Sequence, residues 1–205
     1  MAESPEELYA RVVAAVGEDG RLPMPPVTEW DMFPWEVVDG ELVPKVVLPP
    51  MEADHPRQGV DGDSCGLCTG EGDGVRIWES WNFHVMRPAR PSGLPLKLWL
   101  NSNDHFDFTE MSDEQAAEFG QLSVWLARIM SRLPGIGRVH VNRWGDGSEH
   151  MHAWFVARPE RMPGIVGSLA VEWDEMLPPG PEDVWLEDCN KVATKLAHHA
   201  GRALV

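Results

Sequence analysis

The 205-residue chain has one tyrosine, three cysteines, and only 17 lysines and arginines against 33 aspartates and glutamates. The shortage of positive charge leaves a formal net charge of −16. That charge repels a phosphate backbone, so general nucleic-acid binding is not expected. No run approaches the roughly 18 to 20 apolar residues of a membrane span, so no membrane partner is expected either. The stretch from Met1 to Glu7 is acidic and lacks the basic-then-apolar order of a signal peptide. Three cysteines, two of them in Cys65-Gly-Leu-Cys68, suit a reducing compartment better than a disulfide framework. These absences predict a cytoplasmic protein. No internal repeat and no low-complexity tract is visible. What is present, 43% hydrophobic and 24% charged residues, is enough for one globular domain with a sizeable core.

Local signals divide the chain. Ser4-Pro5-Glu6-Glu7 combines an N-cap serine, a proline at the first helical position and a glutamate closing a capping box, and predicts a helix from about Pro5 to Val16. The prolines at 23, 25, 26 and 34 make the next stretch irregular, with Trp30, Phe33 and Trp35 expected to pack on the core. Residues 36–43 read as a hairpin turning at Asp39-Gly40. Residues 49–75, rich in Gly, Pro and Asp, form the best linker candidate, and the cysteine pair lies inside them. Short strands are expected near Val75–Trp78, Trp81–Met86 and Leu94–Leu100. A second capping box at Ser112–Gln115 opens a long amphipathic helix that ends at Pro134-Gly135. Strands near Arg138–Arg143 and His150–Ala157 flank a tight connection at Gly145-Asp146-Gly147, and a last helix runs from about Pro181 to His198. The sum is an antiparallel sheet with helices to one side, an α+β domain.

Two constellations carry chemistry. In a strand over 150–157, His150, His152 and Trp154 would share one face, with Met151, Ala153 and Phe155 turned to a core. Two histidines so placed serve as metal ligands, as nucleophile and helper, or as surface residues. The Cys65-x-x-Cys68 pair is followed by a glycine-rich stretch, whereas a redox pair normally opens a helix that lowers a thiol pKa. Zinc needs about four ligands in a tetrahedron, and two thiolates supply half. His84, His105, His140, His150 and His152 are the candidates for the rest, and two free buried thiols are the plain alternative.

The order Cys65-x-x-Cys68, strands, Leu98-Trp-Leu-Asn-Ser-Asn-Asp-His105, helix, strand and His150-x-His152 resembles the histidine triad superfamily, over about Cys65 to Arg158. The resemblance implies an α+β domain at 65–160; outside it, the residues themselves suggest an N-terminal extension of helix, hairpin and loop over 1–64, packed on the core through its tryptophans, and a C-terminal helical extension over 161–205. It implies that His152 is the nucleophile toward a nucleotide's α-phosphate, in a nucleotidyl transferase or hydrolase acting on a nucleoside-phosphate conjugate. In the galactose-1-phosphate uridylyltransferase-like branch, a zinc is held at the positions matching Cys65, Cys68, His105 and His150. The family also suggests a homodimer.

Departures accompany the match. The third triad position is histidine in the hydrolases and glutamine in the transferase branch; here it is Trp154, whose indole only donates one hydrogen bond. Such a residue meets a phosphate oxygen or stacks on a base and cannot protonate a leaving group. Before the motif stand Asp146, which repels phosphate, and Gly147 and Ser148, which are able to receive it. Two alternatives follow: a zinc-stabilised pseudoenzyme that binds a nucleotide, or a pocket re-employed for a cationic or aromatic small molecule. Asn101 and Asn142 are candidate ribose or phosphate contacts, or satisfied polar residues. His84 reads as a surface or core histidine, Lys97 as a salt-bridge partner, Cys189 as a buried hydrophobe and His198-His199 as a solvated helix end. Trp144, beside the turn before the motif, is the tryptophan singled out from the core.

Overall fold

A computed structural model describes residues 3–24, 33–60, 62, 64–72 and 74–205. The first helix, α1 (Pro5–Ala15), is capped as its sequence predicts: the Ser4 hydroxyl accepts from the Glu7 amide, and the Glu7 carboxylate accepts from the Ser4 amide. Strands β1 (Trp35–Val38) and β2 (Glu41–Pro44) form a hairpin closed by Asp39 (φ 53) and Gly40 (φ 87), the two left-handed residues of a primed turn.

The main sheet has six antiparallel strands: β3 (Val75–Glu79), β4 (Phe83–Arg87), β5 (Leu96–Ser102), β6 (Ile136–Asn142), β7 (His152–Pro159) and β8 (Arg202–Ala203), in the order β6-β7-β5-β4-β3-β8. The long helix α3 (Asp113–Met130) and the last helix α5 (Glu182–Ala197) pack on one face of it. Alternate residues of the strands turn to that face: Phe83 and Val85, Leu96, Leu98 and Leu100, then Ala153, Phe155 and Ala157. They bury against Leu122, Leu126 and Met130 of α3 and Trp185, Val192 and Leu196 of α5. The C-terminal helix therefore shares the central core. The opposite face is covered only in part. Val156 and Leu94 pack there with Ile165, Ala170 and Leu177, from the segment that carries the short helix α4 (Trp173–Met176).

The capped helices and the antiparallel sheet with helices to one side follow the sequence expectations, with three corrections. Among the described residues, the 33–35 region joins neither buried cluster. Phe33 and Trp35 stack on each other at 5.7 Å, and the hairpin pairs with no strand of the main sheet. Its apolar side chains face water, Val37 and Leu42 each 69% exposed and Val38 46%. Trp30 lies outside the described residues. Second, β7 starts at His152, so His150 precedes the strand. Third, residues 143–151 form a long connection instead of a tight one, because Ser148 pairs with Gln58 in an isolated parallel bridge. No helix of the described residues is long and apolar enough to cross a membrane.

Candidate metal centre and histidine site

Three separate pieces of chain bring four donors together. Cys65 stands at the N-cap and Cys68 within a single helical turn, α2 (Gly66–Thr69), ended by Gly70 at φ 74. The cysteine pair thus does open a turn of helix, against the sequence expectation, but one too short to build a macrodipole. His105 follows β5 on the way to the 3₁₀ turn Phe108–Glu110. His150 stands in the bend before β7. The donor atoms of Cys65, Cys68, His105 and His150 all lie within 4.8 Å of one another. The Cys65 Sγ to His150 Nδ1 distance is 3.3 Å, and Cys68 Sγ is 3.4 Å from both His105 Nδ1 and His150 Nδ1. A tetrahedral ion with bonds of about 2.3 Å to sulfur and about 2.0–2.1 Å to nitrogen has S···N edges of about 3.5 Å. The set fits such an ion.

The surrounding chemistry points the same way. His150 is buried, and burial pushes its imidazole below its ordinary pKa. Its Nε2–H donates to the Ser102 carbonyl at 3.0 Å, which leaves the Nδ1 lone pair facing the thiols. Burial, and then the adjoining Cys65 thiol, pushes the Cys68 thiol up to about 11. A thiol held that high ionises at neutral pH only beside a cation, so a metal explains the pair better than redox chemistry does. Gly59 closes the cluster. It sits at φ +84, and a Cβ there would lie 3.1 Å from Cys65 Cβ and 3.2 Å from His105 Cε1.

His152 is the next link. Its Nδ1–H donates to the His150 carbonyl at 2.8 Å, so Nε2 carries the free lone pair. In register beside it stand Asn101 on β5 and His84 on β4. Asn101 and His84 are both buried. The Asn103 side-chain oxygen accepts from His84 Nδ1 at 2.9 Å, and Asn101 Nδ2 approaches His84 Nε2 at 3.5 Å. Both ring nitrogens are thereby used by the neutral imidazole. Desolvation, with Arg76 adding to it, pushes the His84 pKa down to about 4.

One row further along the face, Trp154 lies between Trp99 and Asn142. The Trp99 and Trp154 rings meet edge to face at 5.2 Å, and Trp144 meets Trp154 at 5.9 Å. Lys97 forms an ion pair with Asp174 and sits 5.9 Å over the Trp154 ring. Gly147 and Ser148 lie on the connection before β7, where the Gly147 carbonyl accepts from the Gln58 amide at 2.9 Å. The structure therefore brings Cys65, Cys68, His105 and His150 into one cluster. It places His152, Trp154, Asn101 and Asn142 on the adjoining open face, with Gly147 and Ser148 at its rim.

Sequence reasoning missed the charges that hold that rim. Arg57 bonds Asp107 at 2.6 Å and Glu149 at 3.2 Å, and Arg143 pairs with the same Asp107. Burial works against ionising Asp107, but hydrogen bonds from Arg57 and the Phe108 amide, with the charge of Arg143, hold it below its usual range. Arg57 and Glu149 are 92 positions apart, and no local pattern announces such a contact. His199 also departs from expectation by stacking on Trp125 at 4.9 Å.

Two outcomes follow. Gly59→Ala, strained at positive φ and pressed on two donors, is expected to lower bound metal by about 10-fold or more in a competition titration with a chromophoric chelator, while retaining native circular dichroism. Because the pKa of His84 is lowered from 6.5 to about 4, protonation favours the unfolded chain. Its effect is absent above pH 6.5 and destabilises as pH falls toward 4, by at most about 1.4 kcal/mol per pH unit. Urea midpoints of the native chain and His84→Gln should diverge from each other across that window and run parallel above it.

No protein-family model matches the sequence, and no curated protein matches it. Solved structures do. A histidine triad protein from Marinobacter aquaeolei VT8 is 20% identical with a TM-score of 0.50, over 62% of this chain and 92% of that one. A hypothetical histidine triad nucleotide-binding protein from Sulfolobus tokodaii strain7 is 14% identical over 65% and 91% of the two chains, with a TM-score of 0.47. A Zn-bound histidine triad family protein from Mycobacterium smegmatis is 19% identical over 64% and 89%, with a TM-score of 0.43. The antiparallel sheet, the helices on its one face and the match to the Marinobacter structure establish that this chain has the histidine triad fold.

Proposed function

We propose that the protein is a zinc-organised nucleotidyl transferase or hydrolase that works through His152. The observation that carries the reading is the hydrogen bond from His152 Nδ1 to the His150 carbonyl, which selects the neutral tautomer whose Nε2 lone pair faces the open side of the sheet. Zinc is the metal that two thiolates and two imidazoles at these separations suit. Bound there, it would be held by Cys65, Cys68, His105 and His150 and would fix the loop and bend that present His152.

In this reading, the Nε2 lone pair attacks the α-phosphorus of a nucleoside-phosphate conjugate. The bond from phosphorus to the leaving oxygen breaks, and that oxygen keeps the electron pair. An acceptor oxygen then attacks phosphorus, and the P–N bond returns its pair to Nε2. Trp154 has no proton to give at neutral pH, so the leaving group must be stable as an anion, as a phosphate is. A phosphate acceptor likewise arrives already deprotonated, which favours transfer over hydrolysis. Ser148 and the Gly147 amide would steady phosphate oxygens, and Asn101 and Asn142 would border the sugar. The same reading carries a cytoplasmic homodimer, for which β6, an edge strand of the main sheet with no outer neighbour among the described residues, offers a pairing strand.

On brief mixing with nucleoside diphosphate sugars or dinucleoside polyphosphates and a quench without acid, the native chain should gain one nucleotidyl mass. His152→Ala should gain none and lose about 10³-fold or more of turnover. An unchanged rate in that variant would sink the mechanism.

The indole at position 154 favours one second reading, a nucleotide-binding protein without turnover. Trp154→His separates the two. Turnover that rises by about 10²-fold with protonatable leaving groups marks an enzyme that lacks its acid, whereas silence beside intact nucleotide binding favours the binding protein.

A further inference from the structure

Trp78 and Trp185 are sealed in the core, as apolar residues of a folded domain should be. Trp99, Trp144 and Trp154 are placed otherwise. They gather on the other face of the sheet, next to the histidine site, and share in no part of the central core. One side of Trp154 packs against the smaller cluster around Val156 and Ile165. Trp144 remains 44% exposed on the connection before β7. The Trp154 ring is 6.5 Å from the His152 ring, close enough for one small molecule to touch both.

The charges around this cluster narrow what it takes. Lys97 already occupies the cation position over Trp154. A cationic guest would meet that ammonium, so the indoles suit a neutral planar ring. The cations nearest the indoles are already engaged, Lys97 with Asp174, Arg143 with Asp107, and Arg57 with Asp107 and Glu149, while Arg138 and Arg158 stand further along the same face beside His140. Two polar atoms distinguish a heterocycle from a plain aromatic ring. Asn142 Nδ2 and His140 Nε2, spaced along β6 on the same face as Trp154, are shielded from solvent and find no hydrogen-bond partner among the described residues. An unpaired buried donor is costly, and a ring bearing nitrogen or carbonyl acceptors relieves it where a hydrocarbon ring does not.

We infer that Trp99, Trp144 and Trp154, with Asn142 beside them, form the subsite for the nucleobase of a nucleoside phosphate whose phosphorus faces His152. The inference rests on the nucleotidyl reading of His152 and adds to it the group that confers affinity. Recognition runs through stacking, so selectivity among bases is modest while the requirement for a base is strong.

Calorimetry on the full-length chain tests it with four probes: adenosine 5′-monophosphate against ribose 5-phosphate, and phenyl phosphate against methyl phosphate. The nucleotide is expected to bind about tenfold or more tightly than ribose 5-phosphate. Trp144→Ala, an exposed position whose loss leaves the fold intact by circular dichroism, should erase that difference, and Trp144→Phe should keep most of it. Equal binding of nucleotide and ribose 5-phosphate overturns the inference. So does an unchanged nucleotide affinity in Trp144→Ala, or a ring effect confined to phenyl phosphate. Each titration is repeated on His152→Ala. A base preference that survives in His152→Ala shows that the subsite binds independently of the nucleophile; if the native chain itself gains no nucleotidyl mass, the catalytic reading falls and the subsite stands.

Discussion

One imidazole holds the site in register. His150 is gripped from three directions: its Nε2–H on the Ser102 carbonyl, its Nδ1 among two thiols and a second imidazole, and its backbone carbonyl under His152. The first contact ties it to the end of β5, the second to the loop that carries the cysteines, and the third sets the tautomer of its neighbour. Neither the donor cluster nor the orientation of His152 survives the removal of this residue from its bend. The amide of Met151, which bonds the Phe106 carbonyl at 2.8 Å, and the Met151 carbonyl, which accepts from Ser102 at 3.1 Å, keep the bend itself in place. Structure and chemistry therefore share the same few bonds.

The rest of the molecule reads as a support for that arrangement. Helices α3 and α5 fill one face of the sheet and leave the other available, while the 162–177 segment covers only the part around Val156. The segment around Arg57 and Gln58 belongs to what the sequence presents as a linker, yet it supplies both the guanidinium that clamps Asp107 to Glu149 and the backbone that pairs with the loop before β7. An acidic protein with few cations has committed three of them to ion pairs around this face. Beside His152 and Trp154, what a substrate meets is aromatic surface and unpaired polar atoms.

Local chemistry was legible from the residues alone. Capping boxes at Ser4–Glu7 and Ser112–Gln115, and the turn at Asp39-Gly40, depend on residues within three positions of each other, and each formed as read. Alternation placed Met151, Ala153 and Phe155 in the core. The four metal donors came from order and spacing matched to a family pattern, because no periodicity links residue 65 to residue 150. What escaped was fixed by distant partners: the start of β7 at His152, set by the bonds of Met151; the Gln58 bridge; the identity of the ion-pair partner of Lys97, Asp174, 77 residues away; and β8, two residues whose only strand signal is the β3 edge they join.

The hairpin β1–β2 has a consequence for colloidal behaviour. A two-stranded ribbon that pairs with no other strand among the described residues, with Val37, Val38 and Leu42 in water, is a template on which another copy can add strands. What opposes this is long-range repulsion between chains of net charge −16. That repulsion is screened within about 10 Å at 0.1 M salt and fades as carboxylates take up protons in acid. The surplus of aspartate and glutamate thus keeps an otherwise adhesive ribbon in solution, and the conditions under which the protein precipitates are set by its surface charge before its fold is lost.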